Sequence, residues 1–415
     1  MNPDESRPPG FIRLKYVVSL RRSRTEGTEN SRPYIGLEDI EPWTGRLISD
    51  ARTTDQPPSP DADGESLSSA FEPGDVLFGK LRPYLAKVWV AEFSGRCTTE
   101  LLVMEPVDVE ARFARYVCLW REFVDAVDAS TFGSKMPRAD WGFIGNMPIP
   151  VPEHPRQIAI ADYLDRETTS VDGLIAAKEH LVQLLAEKRC AIILRAVTRG
   201  LHLGAPLRDS GVPWLGEIPA HWEVSRVAWL FRERDERGEP DLPLLEVSIS
   251  AGVVLREFSD DRIESTAADF NTYKVARRGD IVFNKMRMWQ GAVGVAPEDG
   301  LVSPDYVVAA PVGSLSSEYA GLLFRTSAFS AECARRSHGI VWDRLRLYWE
   351  GFRDIEVPLL PLDEQADIVA HVASETAILE ALSAATEHTV ALLGERRAAL
   401  IAAAVTGQID VGNAA

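Results

Sequence analysis

An internal duplication constrains this chain more than any single motif. Residues 74–90 (GDVLFGKLRPYLAKVWV) align without a gap on 279–295 (GDIVFNKMRMWQGAVGV), with seven of 17 positions identical, and the same 205-residue offset pairs Gly95 with Gly300 and Pro106 with Pro311. Beyond that the offset becomes 208, so that Pro150, Gln157, Thr168 and Leu174 meet Pro358, Gln365, Thr376 and Leu382. The match tightens through Glu179-His180, Leu184-Leu185, Glu187 and Arg189 against Glu387-His388, Leu392-Leu393, Glu395 and Arg397, and it ends with Val197-Thr198 against Val405-Thr406. Solenoid repeats run to about 20–50 residues, so a period this long leaves each copy large enough for its own core. The 415 residues therefore read as two copies of one mixed domain, each followed by a helical segment.

Within each copy, short runs rich in Val, Ile, Tyr and Trp alternate with Gly and Pro: DVLFGKL, KVWVAEF and ELLVME in the first, DIVFNKM, AVGVA and YVVAAP in the second. These predict strands. Apolar positions spaced by three and four around Ala111–Ala129 and Ser316–Arg336 predict helices, so the class is α+β. Residues 50–70 are polar, acidic and Pro-rich, the composition of a surface loop. Each copy then closes on a Pro-free stretch. In the first, Leu164, Val171, Leu174, Leu181, Leu185 and Ile192 form a heptad-like seam between Arg156 and Thr198; in the second, Val372, Leu379, Leu382, Leu393 and Leu400 repeat it, interrupted by Thr386 and Thr389. A helix of about 43 residues spans about 65 Å, more apolar stripe than one small domain covers. Pairing the two helices with each other, as an antiparallel coiled coil with pseudo-two-fold symmetry, is the simplest solution, and folding each onto its own domain is the alternative. The expected layout is a first globular domain at 11–150, a long helix at 151–200, a second globular domain at 211–358 and a second long helix at 359–406.

Signatures of catalysis are missing: the sequence holds no GxGxxG, GxxxxGK[ST], GxSxG or HExxH. Asp75 with Lys80, and Asp280 with Lys285, stand five apart in both copies, but a metal-dependent nuclease needs further converging carboxylates, and a turn after Gly74 and Gly279 explains both aspartates. Cys97, Cys118, Cys190 and Cys333 form no CxxC pair and read as buried thiols. His180 and His388 recur on a helix flank, as solvated or interface positions. No run of about 18 apolar residues and no signal-like N-terminus are present, which leads to the expectation of a cytoplasmic chain with no membrane partner.

The formal charge of −17 opposes nucleic-acid binding by the chain as a whole, so any DNA-facing surface must be locally basic. Arg7, Arg13, Lys15, Arg21, Arg22 and Arg24 form one acid-free cluster, and Lys274, Arg277, Arg278, Lys285 and Arg287 a second facing only Asp280. Lys80, Arg82, Lys87, Arg96, Lys135 and Arg138 add to the first domain; Arg335, Arg336, Arg344 and Arg346 add to the second. Such groups neutralise phosphates, and Asn284 and Gln290 have the donors and acceptors to read base edges. Tyr84 and Trp289 align across the copies and suit either base contact or the core. Acids gather elsewhere, at 50–72, Glu233–Asp241, Glu257–Asp269 and Asp363–Glu380, as surfaces for protein partners. Two homologous domains related by a dyad match the local two-fold symmetry of a duplex, and diverged domains would read an asymmetric, two-part target with an unread gap between, spaced by the helices.

Gly74–Tyr84, Pro213–Trp222 (PWLGEIPAHW), Gly279–Trp289 followed by Ser303-Pro304-Asp305-Tyr306, and Pro361–Ile368 (PLDEQADI), in that order within a duplicated chain, resemble the DNA specificity subunit of type I restriction-modification systems. The first helix start reads PEHPRQIAI, and no PWLG-type segment precedes the first domain; both depart from the pattern. The resemblance implies two target-recognition domains alternating with two conserved helical regions, and a non-catalytic role: addressing double-stranded DNA and scaffolding two methyltransferase (modification) subunits and the restriction/translocase subunits. S-adenosylmethionine, ATP and Mg would then be carried by the partners. The rival readings are a single-chain DNA nuclease and a coiled-coil interaction protein that never meets nucleic acid.

Overall fold

In this computed structural model the described residues are 10–22, 24–25, 32–48, 68–133, 136–256, 270–339, 345–409 and 411. The chain divides into two compact units whose boundaries fall inside the long helices: unit 1 is Met1–Glu179 with His388–Ala415, and unit 2 is His180–Glu387.

In unit 1, β1 (Val18–Leu20), β2 (Val76–Gly79), β3 (Val88–Val90) and β4 (Leu101–Pro106) form an antiparallel sheet in the order β1-β4-β2-β3. Strand β2 reads VLFG and is buried at every position because both of its faces are covered. Val76 and Phe78 pack with Phe113, Val117 and Phe123 of helices α1 (Ala111–Leu119) and α2 (Arg121–Ala129), while Leu77 meets Phe71, Cys97 and Ile35. Those last residues belong to a second sheet that includes Ser68–Phe71 and Gly95–Thr98. Ser68–Ala70, expected to end a loop, are thus a strand; residues 50–67 of that loop lie outside the described residues.

Two long helices follow from the heptad-like stretches: α3 (His154–Arg199), 46 residues, and α6 (Leu362–Val405), 44 residues, the latter numbered after α4 and α5 below. In unit 1 the start of α3 and the end of α6 share one core, Ile160, Ala161 and Leu164 with Ile401, Ala404 and Val405, so the two segments run antiparallel.

Unit 2 repeats the plan. β5 (Phe231–Arg234), β6 (Ile281–Asn284), β7 (Val293–Val295) and β8 (Tyr306–Pro311) take the order β5-β8-β6-β7, and the register Val76↔Met104 recurs 205 residues on as Ile281↔Ala309. Ile281 and Phe283 face α4 (Ser317–Phe324) and α5 (Ser327–Arg336), and Val282 faces the opposite cluster with Leu245, Val253 and Ala276. Ala196 and Val197 of α3 pack with Ile368 and Val372 of α6, again antiparallel. Even the ion pairs recur: Arg397 Nε bonds Asp172 Oδ1 at 2.7 Å in unit 1, and its repeat-mate Arg189 meets Glu380, the mate of Asp172, at 3.2 Å in unit 2.

Three expectations need correction. Leu174 and Leu382, read as seam positions, are exposed, because the helices bury only alternate parts of that stripe. Cys190 is exposed, unlike Cys97, Cys118 and Cys333; burial pushes the thiols of Cys97 and Cys118 up to about 12 and that of Cys333 well above its ordinary value. Helix α6 also contains an 18-residue stretch with hydropathy 1.3, apolar enough by length and composition to cross a membrane. Only 22% of that stretch is buried within the protein.

Candidate nucleic-acid interface

At the end of β2 the chain turns through Lys80, Arg82 and Tyr84, and a second loop some fifty residues later is stitched onto that turn. Arg82 N donates to Pro137 O at 2.8 Å and Ala139 N to Lys80 O at 2.9 Å, while Phe132 and Arg138 face each other across a bridge. Unit 2 builds the same junction: Leu347 N donates to Lys285 O at 2.9 Å, and His338 bridges Arg346. The two offsets of the duplication carry one arrangement onto the other, Lys80 to Lys285 and Arg138 to Arg346. Residues far apart in sequence therefore converge on one edge of each head.

Their states differ. Arg82 and Tyr84 are exposed and Lys80 is half-buried, whereas Arg138 bonds both Glu100 oxygens at 3.1 and 2.9 Å, which cancels its charge locally. Lys135 and Arg344 lie outside the described residues. In unit 2 Arg287, Gln290 and Arg346 are exposed; Lys285 is half-buried with Nζ 3.5 Å from Pro304 O, and Arg346 Nη2 lies 3.9 Å from Met286 Sδ. Among the described residues, Lys80, Arg82, Lys285, Arg287 and Arg346 have no carboxylate partner. Asn284 is buried and its Oδ1 accepts the Met286 N–H at 2.9 Å, so it holds the turn instead of displaying itself to a ligand. Trp289 is half-buried, with Nε1 donating to Met286 O at 2.9 Å. Sequence reasoning missed Phe132 and Met136, which are 65% and 55% exposed beside Arg138. Neither is repeated in the second copy, so alignment of the copies gave no signal for them.

Several charges assigned to DNA are engaged internally. Lys274 is buried between Glu233 and Asp235, at 3.7 and 3.4 Å. Arg277 bonds Glu239, Glu236 and Asp299, which raise its guanidinium above the ordinary value. Arg335 and Arg336 both grip Glu332 at 2.7 Å. The Glu233–Asp241 segment, read as a partner-facing surface, is thus largely the counter-charge of these cations. Arg7 lies outside the described residues, as does the side chain of Arg24.

Asp75 and Asp280 are buried turn anchors. Gly74 and Gly279 hold φ of +90° and +89°, which a residue with a Cβ rarely adopts, and each following carboxylate ties the turn to the neighbouring strand. Asp75 accepts from Arg21 at 2.8 and 3.1 Å and from Glu72 N at 2.8 Å; Asp280 accepts from Arg234 at 2.8 and 3.4 Å and from Arg277 N at 2.8 Å. Asp280→Asn should lower stability by about 1–2 kcal/mol, since a charge-assisted pair becomes neutral while Arg234 keeps some solvent. Urea unfolding of the full chain measures it, and an unshifted transition would contradict the anchoring role.

Two heads of one plan, each closing on parts of two long antiparallel helices and each presenting the same two-loop junction, define a class of duplicated, helix-linked two-domain proteins. Within that class the chain is similar to type I restriction-modification specificity subunits. It is 24% identical over 170 residues to the type I restriction enzyme EcoDI specificity subunit of Escherichia coli, a match that takes in 37% of this chain and 35% of that subunit. A chain from a solved structure of a type I restriction-modification system, concerned with its assembly and conformational transition, has the same fold: TM-score 0.68 at 18% identity, over 96% of this chain and 98% of that one. The HsdS subunit from Thermoanaerobacter tengcongensis aligns over 97% and 98% with a TM-score of 0.48 at 18% identity. No family model matches the chain.

Proposed function

We propose that this chain is the sequence-specific DNA-binding specificity subunit of a type I restriction-modification complex, reading an asymmetric, two-part target and carrying out no chemistry itself. The observation that carries this reading is the repeated junction. The same backbone bond, Ala139 N to Lys80 O and Leu347 N to Lys285 O, stitches a cationic turn to a second loop in each head. Each head thereby offers cations without carboxylate partners for phosphates beside variable side chains for base edges: Tyr84, Phe132 and Met136 in one, Trp289 and Gln290 in the other. Divergence within a common scaffold suits two unlike half-sites. The long helices are assigned the role of spacer.

Partner subunits are assigned to the helices. Leu174 and Leu392 of unit 1, with Leu382 and Leu184 of unit 2, are repeat-mates by the 208-residue offset and lie 46–50% exposed. Apolar side chains left in solvent at equivalent positions of both units suit two copies of one partner. Modification subunits bringing S-adenosylmethionine, and restriction subunits bringing ATP and Mg, complete the proposed assembly.

Methylome sequencing of a host carrying this chain with its modification subunit is the direct test. A split motif methylated on both strands is expected, and a continuous motif or none would defeat the proposal.

A further inference from the structure

Unit 2 contains a cavity of about 1200 Å³ that borders the proposed base-reading turn at Trp289 and Gln290 and extends beyond it. Among the described residues its walls are the α3 segment with Arg189, Cys190 and Ile193, the start of α5, the tip of the Leu245–Leu255 hairpin at Ile249 and Ser250, and the turn with Trp289 and Gln290. The lining is mainly apolar and larger than the roughly 300–1,000 Å³ typical of small-molecule sites.

The duplication supplies an internal comparison, because the corresponding corner of unit 1 carries larger side chains. There Trp43 and Trp120 pack against the core, the Arg121 guanidinium lies 5.8 Å from the Trp43 ring, and Arg397 Nη1 bonds Trp43 O at 2.8 Å. Trp120 holds the N-cap position of α2 as Thr326 holds that of α5, so Thr326, Ser327 and Ser330 stand where unit 1 has Trp120, Arg121 and the core residue Val124. Large side chains in one copy face small ones in the other, and among the described residues the volume is left open.

Charge departs in the same place. The residue before the α2 cap is Leu119, which is buried; the residue before the α5 cap is Arg325. Its Nη2 donates to the carbonyls of Ile249 and Ser250, and among the described residues it has no carboxylate partner. Burial, and after it the positive charge of Arg189, pushes the Arg325 guanidinium below its ordinary value. A cation held half-buried in an apolar wall without a counter-ion leaves a local demand for negative charge.

We propose that this cavity binds a small amphipathic organic anion, an apolar or aromatic body with one carboxylate, sulfonate or phosphate group, the acid on Arg325 and the body against Ile193, Leu322 and Trp289. Trp289 and Gln290 also stand in the proposed base-reading turn, so an occupant would bias how the second head meets DNA; that last step rests on the function proposed above, and the binding itself does not.

The probe is 1-anilinonaphthalene-8-sulfonate, an aromatic sulfonate that brightens in apolar sites, titrated into the full chain without DNA. One saturable site with blue-shifted emission is expected. Arg325→Met should weaken it about tenfold by removing a charge-assisted bond, and Ala331→Trp should abolish it by filling the volume. Thermal melts identify variants that have not folded, and Ser327→Phe offers a second filling variant. Equal binding by the wild type and both classes of variant would place the dye on the exposed helix leucines and overturn the proposal. If duplex DNA displaces the dye from the assembled complex and Arg325→Met weakens DNA binding equally, the occupant is a DNA phosphate, and the small-anion assignment fails.

Discussion

Simultaneous Lys285→Ala, Arg287→Ala and Arg346→Ala substitution is expected to weaken target binding by the assembled complex about 100-fold at physiological salt. The size follows from counter-ion release: each phosphate contact contributes about 0.9 to the slope of log affinity against log salt, so losing three lowers that slope by nearly three. These cations meet the requirement that the summed charge does not. Among the described residues the Lys285 side chain makes only a long contact to Pro304 O and the Arg346 side chain one to a sulfur, and Arg287 is exposed, so each retains its charge for a ligand. Arg226, which is near Glu356 at 4.0 Å in the same unit, is the control and should change the slope little. The measurement is equilibrium binding over a salt series with specific and random duplexes. Because phosphate contacts carry no sequence information, affinity for both duplexes should fall together. Unchanged affinity and slope would remove DNA from the second head. The opposite pattern, loss on the specific duplex alone, would mean that these side chains read bases.

What could be read before the fold was known depended on whether a residue's role recurs in both copies. Strands β2 and β6 were legible because both faces of each are buried and the apolar run is continuous, Val76–Phe78 in one and Ile281–Phe283 in the other. The long helices were legible from the absence of Pro and from spacing. Pairing of charges was not. Lys274 and Arg277 look free in sequence because their acids, Glu233 to Glu239, lie about forty residues away and arrive only when the strands assemble. Asn284 has the chemistry of a base reader but closes a turn, and no composition rule separates the two uses. The junction of Lys80 with Ala139 was equally hidden, since a backbone hydrogen bond leaves no residue signature. Conversely, backbone shape can persist where the residue does not: Ala86 and Gly291 share a positive φ of 44° and 87° at equivalent turns, so the turn survives a change that alignment scores as a mismatch.

One repeated residue carried a meaning that only the structure disclosed, and it sets the largest expected change in stability. Gln157 and Gln365, aligned by the 208-residue offset, each sit in the first turn of a long helix and are buried. Gln157 Oε1 accepts from Glu110 N at 2.7 Å and its Nε2 donates to Pro152 O at 2.8 Å; Glu110 is the residue that caps α1. Gln365 Oε1 accepts from Ser316 N at 2.7 Å, Ser316 being the cap of α4, and its Nε2 donates to Ser314 O at 2.9 Å and Leu360 O at 2.8 Å. Each glutamine therefore fastens a head to its helix through backbone groups, the bond to Leu360 O buried and the others part-buried. Replacement by Leu keeps the volume and strands those groups. A buried unpaired group costs about 1–3 kcal/mol, so Gln365→Leu, with three partners, should cost about 4 kcal/mol, and Gln157→Leu, with two, about 2–3. The two changes should also act on different parts of the chain. Gln365 belongs to unit 2 and Gln157 to unit 1, so urea unfolding followed by hydrogen exchange should show α4 losing protection first in one variant and α1 in the other. Equal, small effects spread over both heads would mean that the amides are replaceable by water and that the head-to-helix joint is held by its apolar contacts alone.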